Sequence, residues 1–112
     1  MSADTLEAKN GTLSDTLEIT KMLTISTGHV TAKTADLLDA EPFENNLGIP
    51  VYEKESYGWF VYIDANVMKT IEQPDFPADL AGCIRLAHEN DCSVLCLDQD
   101  AEMTLRLPIH EW

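Results

Sequence analysis

Apolar residues alternate, or recur with a helical period, in distinct stretches separated by turn-forming residues. Lys21 to Ser26 reads as a first strand built on Met22, Leu23 and Ile25. Thr27-Gly28-His29 interrupts it. Thr31 then stands where a helix N-cap belongs, because its hydroxyl can accept an orphan backbone N–H. Ala32, Ala35, Leu37 and Leu38 make the apolar stripe of that helix, and Pro42 lies just past its end. Ile49 to Lys54 predicts a second strand, with Val51 and Glu53 on one face and Tyr52 and Lys54 on the other. Tyr57 to Ile63 predicts a third, with Glu55-Ser56 as a tight hairpin between them. Trp59, Val61 and Ile63 share one face of the third strand, and its other face is also apolar, which puts it inside the sheet.

Residues 64–73 fit neither period. Pro74-Asp75-Phe76-Pro77 is a rigid entry to a second helix, and Pro77 suits its first turn. Leu80, Cys83, Ile84 and Ala87 recur at helical spacing there, with Asp79, Arg85 and Glu89 directed away. Asn90-Asp91 ends the helix, and Ser93 to Asp98 is a fourth strand. After an acidic turn, Gln99 to Glu102, the run Met103 to Leu107 can pair back as a fifth; Pro108 stops it, and the Trp112 ring can pack on the sheet. This order predicts an α+β fold, an antiparallel sheet of four to five strands with two helices on one face. The strand–helix–strand–strand–helix–strand succession is the ferredoxin-like one, with an extra C-terminal strand. Residues 1–20 lack apolar periodicity and hold the turn signal Asn10-Gly11; their two Asp-Thr-Leu-Glu copies are too short to be a repeat. They are expected to form a flexible acidic arm, and residues 21–112 a single domain.

Charge changes the picture more than size does. The chain has 112 residues, 45% of them hydrophobic, enough for one core. Its 20 Asp and Glu face 7 Lys and Arg, for a formal net charge of −13. Such a surface repels a phosphate backbone, whose binders need Lys and Arg, and steers toward basic partners. Acidity also serves solubility alone, and that is its commonest explanation. No run approaches the ~20 apolar residues of a membrane span. The polar start is not that of a signal peptide, and three cysteines without a signal imply free thiols in a reducing cytoplasm.

Candidate chemistry is sparse. Cys83, Cys92 and Cys96 with His88 have the composition of a Cys3His zinc set. Cys83 however lies on the apolar helix stripe, and Cys92 and Cys96, read as sharing a strand face, stand about 13 Å apart along it. Neither metal nor cofactor is expected. Cys83 and His88 lie on different helix faces, and acidic surroundings disfavour a thiolate. His29, His88 and His110 form no metalloprotease-type cluster. His29, in its glycine loop, together with the loop near Asp64, is the remaining catalytic candidate. Gly28, Gly48 and Gly58 are isolated, so no phosphate-binding loop exists, and Asp98, Asp100 and Glu102 lack the glycine and glutamate of a calcium loop. The expectation is a protein that is not an enzyme.

The acids fall at helix ends and turns, mostly without an opposite charge at i,i+4. Carboxylates presented this way suit imitation of a nucleic-acid backbone. The candidate partner-binding residues are Asp36, Asp39, Glu41, Glu44, Glu53, Glu55, Asp75, Asp98, Asp100 and Glu102.

Several segments together resemble a known family. They are Ile25-Ser26-Thr27-Gly28-His29-Val30-Thr31, Ala35-Asp36-Leu37-Leu38-Asp39, Val51-Tyr52, Tyr57-Gly58-Trp59-Phe60-Val61-Tyr62, Cys96-Leu97-Asp98-Gln99-Asp100-Ala101-Glu102 and Glu111-Trp112. Over roughly residues 22–112 the chain is similar to short, uncharacterised acidic proteins carried by bacterial plasmids and other mobile elements. Such elements carry anti-restriction and anti-CRISPR proteins, many of them acidic mimics of DNA. The resemblance therefore implies a monomeric cytoplasmic inhibitor that blocks target DNA binding by a type I surveillance complex, type I-C included. Its partner would be the basic DNA-binding surface of a CRISPR effector or restriction complex, with no nucleic acid or membrane bound by the chain itself. The alternative is an acidic interaction module, antitoxin-like or regulatory, that binds a basic partner partly through the aromatic strand around Trp59, Phe60 and Tyr62.

Overall fold

A computed structural model describes residues 16–40 and 47–112. The expected residues 1–15 of the acidic arm, and Glu41 and Glu44, lie outside the described residues. Residues 16–20 are irregular and exposed. The order is β1 (Met22–Ser26), a 3-10 turn (Thr27–His29), α1 (Ala32–Asp39), β2 (Val51–Lys54), β3 (Gly58–Tyr62), α2 (Ala65–Thr70), α3 (Ala78–Glu89) and β4 (Val94–Asp98). The α+β architecture is as expected. Among the described residues the sheet has four strands in the order β1-β4-β3-β2. β1 runs parallel to β4, with Met22 opposite Val94 and Ser26 opposite Asp98, whereas the β3/β4 and β2/β3 pairs are antiparallel. The sheet is therefore mixed and not the expected antiparallel one, because β4 returns beside β1 in the same direction, and α2 adds a third helix to the two expected. β1 sits at an edge, and the two ends of the chain's strand succession, β1 and β4, are neighbours.

Strand parity explains the layers. Ile25, Trp59, Val61, Leu95 and Leu97 alternate onto one face and join Leu38, Val67, Leu80, Cys83, Ile84 and Ala87 of the helices in one core. Leu80, Ile84, Leu95 and Leu97 are fully buried, each contributing about 1.5–3 kcal/mol of burial free energy. The opposite face carries Met22, Thr24, Tyr52, Phe60, Tyr62 and Cys96 in register across the strands. Tyr52 and Tyr62 meet there edge to face at 5.3 Å.

Local signals decide the element ends. Thr31 caps α1, its hydroxyl accepting from the Thr34 N–H at 3.2 Å. Thr34 and Ala35, with Leu38, are the residues α1 buries; Ala32, read into the stripe, is exposed. Residues 64–73 resolve into α2, capped by the Asp64 carboxylate accepting from the Val67 N–H at 2.8 Å. α3 starts immediately after Pro77.

Three further expectations about the loops, the C-terminal run and α3 need correction. The loop between β2 and β3 has three residues, Glu55 to Tyr57, since Lys54 pairs with Gly58. Glu55 adopts φ 51°, a left-handed conformation uncommon for a residue with a side chain. The expected fifth strand does not form: Leu105 is 99% exposed. Residues 102–112 instead cross over the turn after β1, through Ser26 N–H to Glu102 O (3.2 Å) and His110 N–H to Gly28 O (2.8 Å). Asp79 is not a solvent-facing residue of α3. Its carboxylate accepts from the Thr31 N–H at 2.7 Å and the Thr34 hydroxyl at 2.9 Å, tying the start of α3 to the start of α1.

That tie predicts an acid limb in stability. Burial pushes the Asp79 carboxyl up, but hydrogen bonds from the Thr31 N–H, the Thr34 hydroxyl and the Leu80 N–H outweigh it and hold the group below its ordinary value. With the folded pKa depressed, the stabilisation is present above the unfolded value of 3.8 and is lost as the pH falls through the folded one. Asp79→Asn should lower stability at neutral pH by about 1 kcal/mol and flatten the loss on acidification. Urea midpoints of both proteins from about pH 6 down to about pH 2 test this; parallel curves would contradict it.

Candidate functional site

The C-terminal ends of β1 and β4 and the β2–β3 hairpin meet at one end of the sheet. Ser26 pairs with Asp98, Asp98 also with Gly58, and the Gln99 N–H donates to Tyr57 O at 2.8 Å. α1 ends against the same place: the Trp59 indole N–H donates to the Asp39 carboxylate at 2.8 Å. The chain's final residue arrives there too, its Trp112 indole N–H donating to Val30 O at 2.9 Å. Between these elements lies a cleft of about 480 Å³, within the size range of ligand sites. Its walls include Trp59, Trp112 and Tyr57, with the carboxylates of Asp39, Glu53 and Glu55.

Glu53 and Trp59 are directly paired across β2 and β3, so both side chains stand on the helix-side face. Neither Glu53 nor Glu55 has a hydrogen bond or salt bridge among the described residues. Asp98 is different. The Asp100 N–H and the Lys54 ammonium, 3.0 Å away, hold its carboxyl below the usual range and raise that of Lys54. This pair is the one salt bridge among the described residues.

The structure thus divides the sequence-derived acids. Asp39, Glu53, Glu55, Asp98, Asp100 and Glu102 gather at this sheet end. Asp36 lies exposed on α1. Asp75 lines a separate depression with Thr31, Lys33 and Asp79, before α3. The aromatic strand is split: Trp59 forms the cleft wall, whereas Phe60 and Tyr62 stand on the opposite sheet face. Trp112 and Tyr57 had no signal in the sequence that joined them to the acids.

The other candidates take structural places. His29 is 1% exposed, with Nδ1 donating to Pro108 O at 2.8 Å and Nε2 accepting from the Thr104 N–H at 2.9 Å. Both ring nitrogens are engaged by backbone, so the ring offers none to a substrate. Burial, and secondarily the Asp79 charge, pushes the Cys83 thiol up to about 12, and burial also raises Cys96. Thiols that stay protonated at neutral pH are poor nucleophiles. Cys92 and Cys96 do not share a face: Cys92 belongs to the helix-side core and Cys96 to the opposite side of β4. Among the described residues no three His, Cys, Asp or Glu side chains come together as metal ligands, and no helix is long and apolar enough to cross a membrane.

Residues 22–112 match a protein family described as "Family of unknown function (DUF5983) C-terminal domain". No curated protein and no solved structure matches the chain.

Proposed function

The chain belongs to the DUF5983 family of unknown function, and we propose that it is a non-enzymatic binding protein whose acidic sheet end occupies a basic, DNA-binding surface of a larger complex. The reading extends to the role expected of anti-CRISPR and anti-restriction mimics: exclusion of target DNA from a type I surveillance complex. The observation behind it is an acidic sheet end: Asp39, Glu53 and Glu55 line the cleft on the helix side, Asp98 stands on the other face of the same end with Asp100 and Glu102 in the turn after it, and Asp98 alone has a salt-bridge partner among the described residues. Asp39 at a helix end and Glu53 and Asp98 on strands are held by regular structure, with Glu55, Asp100 and Glu102 in the adjoining turns, and electrostatic complementarity of this kind raises association rate and selects partners.

Competition measures it directly. The protein should displace duplex DNA from a purified type I complex, and binding should weaken steeply as ionic strength rises toward a Debye length of about 8 Å. A stable ternary complex of effector, protein and target duplex would sink this reading.

The aromatic walls of the cleft favour a second reading, an interaction module for a basic partner that is not a DNA-binding complex. Under it, a basic partner is retained although duplex DNA does not compete for it.

A further inference from the structure

We propose that the cleft receives the guanidinium of an arginine side chain presented by a basic protein partner. This rests on the reading of the acidic end as a binding surface and names the group it recognises. Three features point to it. The walls combine indole and phenol rings with three carboxylates, and no Lys or Arg lines the cleft. A guanidinium is planar, stacks on aromatic faces and forks its N–H donors onto carboxylates, so it uses both kinds of wall; an ammonium is a hydrated point charge that uses mainly one. The carboxylates are also open to a ligand. Glu53 and Glu55 are exposed, without a hydrogen bond or salt bridge among the described residues. Asp39 accepts the Trp59 indole N–H through one oxygen only.

The Lys54 ammonium lies 6.0 Å from the centroid of the Tyr57 ring. A phosphate-bearing ligand would meet three negative charges instead. The hydrogen bond from Trp59 to Asp39 fixes one wall, and that from Trp112 to Val30 O fixes another, so the ligand would not have to organise the site.

Both tryptophans of the chain line the cleft, so intrinsic fluorescence reports occupancy. Titration with a tri-arginine peptide should give a saturable emission change, and a tri-lysine peptide should bind several-fold more weakly. Glu53→Gln combined with Glu55→Gln should weaken tri-arginine binding about tenfold, a loss of about 1.4 kcal/mol. The charge-matched pair Glu72→Gln with Glu89→Gln, exposed residues outside the cleft, should leave it within about twofold. Equal weakening by the two pairs, equal affinity for the two peptides, or no saturable change would overturn the arginine site. Those results leave DNA competition intact if only the arginine proposal fails; loss of competition as well removes the reading beneath it.

Discussion

Gly58→Ala should remove a large part of the protein's stability. An added Cβ would stand 1.7 Å from Leu97 O and 2.7 Å from the Leu97 carbonyl carbon, both backbone atoms of β4. No side-chain rotation relieves such a contact, so β3 and β4 would have to part at the pair that also holds Asp98. We expect a loss of about 4 kcal/mol, against a total of about 5–15 kcal/mol for domains of this class. Gly82→Ala is the matched control. Its added Cβ would lie 3.7 Å from Leu107 Cδ2, in ordinary contact and in the interior of α3. That change should be neutral or stabilising by up to about 1 kcal/mol, from helix propensity. Urea midpoints of the two variants decide it, and a Gly58→Ala protein within about 1 kcal/mol of the parent would contradict the close approach of the strands.

His29→Ala is the second large effect, and it reaches the candidate site. Removing the ring leaves Pro108 O and the Thr104 N–H without their partner and opens a void beneath the final segment. The expected loss is about 2–4 kcal/mol. Residues 102–112 should loosen with it, because His29 is their buried tie to the turn after β1. Trypsin should then cut at Arg106 faster than in the parent, Thr104 should lose amide protection, and the indole of Trp112 should become more solvated. Unchanged cleavage and protection would show that the other contacts, His110 N–H to Gly28 O and Trp112 to Val30 O, suffice to hold the segment. The same variant separates structural from catalytic use of the residue, since an exposed catalytic histidine would lose activity without losing stability.

The hairpin shows why site residues were harder to read than elements. β2 and β3 were legible from alternation, and the Thr31 cap and the Pro77 entry from local chemistry. A two-residue loop at Glu55-Ser56 would pair Glu53 with Gly58. The actual three-residue loop pairs Glu53 with Trp59, and that one-residue shift decides that an aromatic ring, and not a glycine, stands opposite the carboxylate. The left-handed Glu55 that makes the longer turn possible has no sequence signal, because Gly or Asn is the usual occupant. The run Met103-Leu105-Leu107 failed in the opposite way. Its alternation is real, but alternation states only which faces match and not that a strand edge awaits them. Backbone groups of the turn after β1, with His29, hold the segment instead.

From sequence alone came the α+β class, the four strands, the two longer helices, the apolar stripes of β3 and α3 and the acidic composition. Those follow from periodicity, capping and net charge, which are local or summed quantities. Val30, Leu47, Val67 and Ile71 joined the core without a sequence signal. Tertiary structure alone decided that β1 lies parallel to β4, that Asp79 ties two helix starts, and that Trp59, Trp112 and Tyr57 join Asp39, Glu53 and Glu55 around one cleft. These are contacts between residues as far apart in the chain as Val30 and Trp112. They arise from strand order and register, which the packing of one shared core selects and no local pattern encodes.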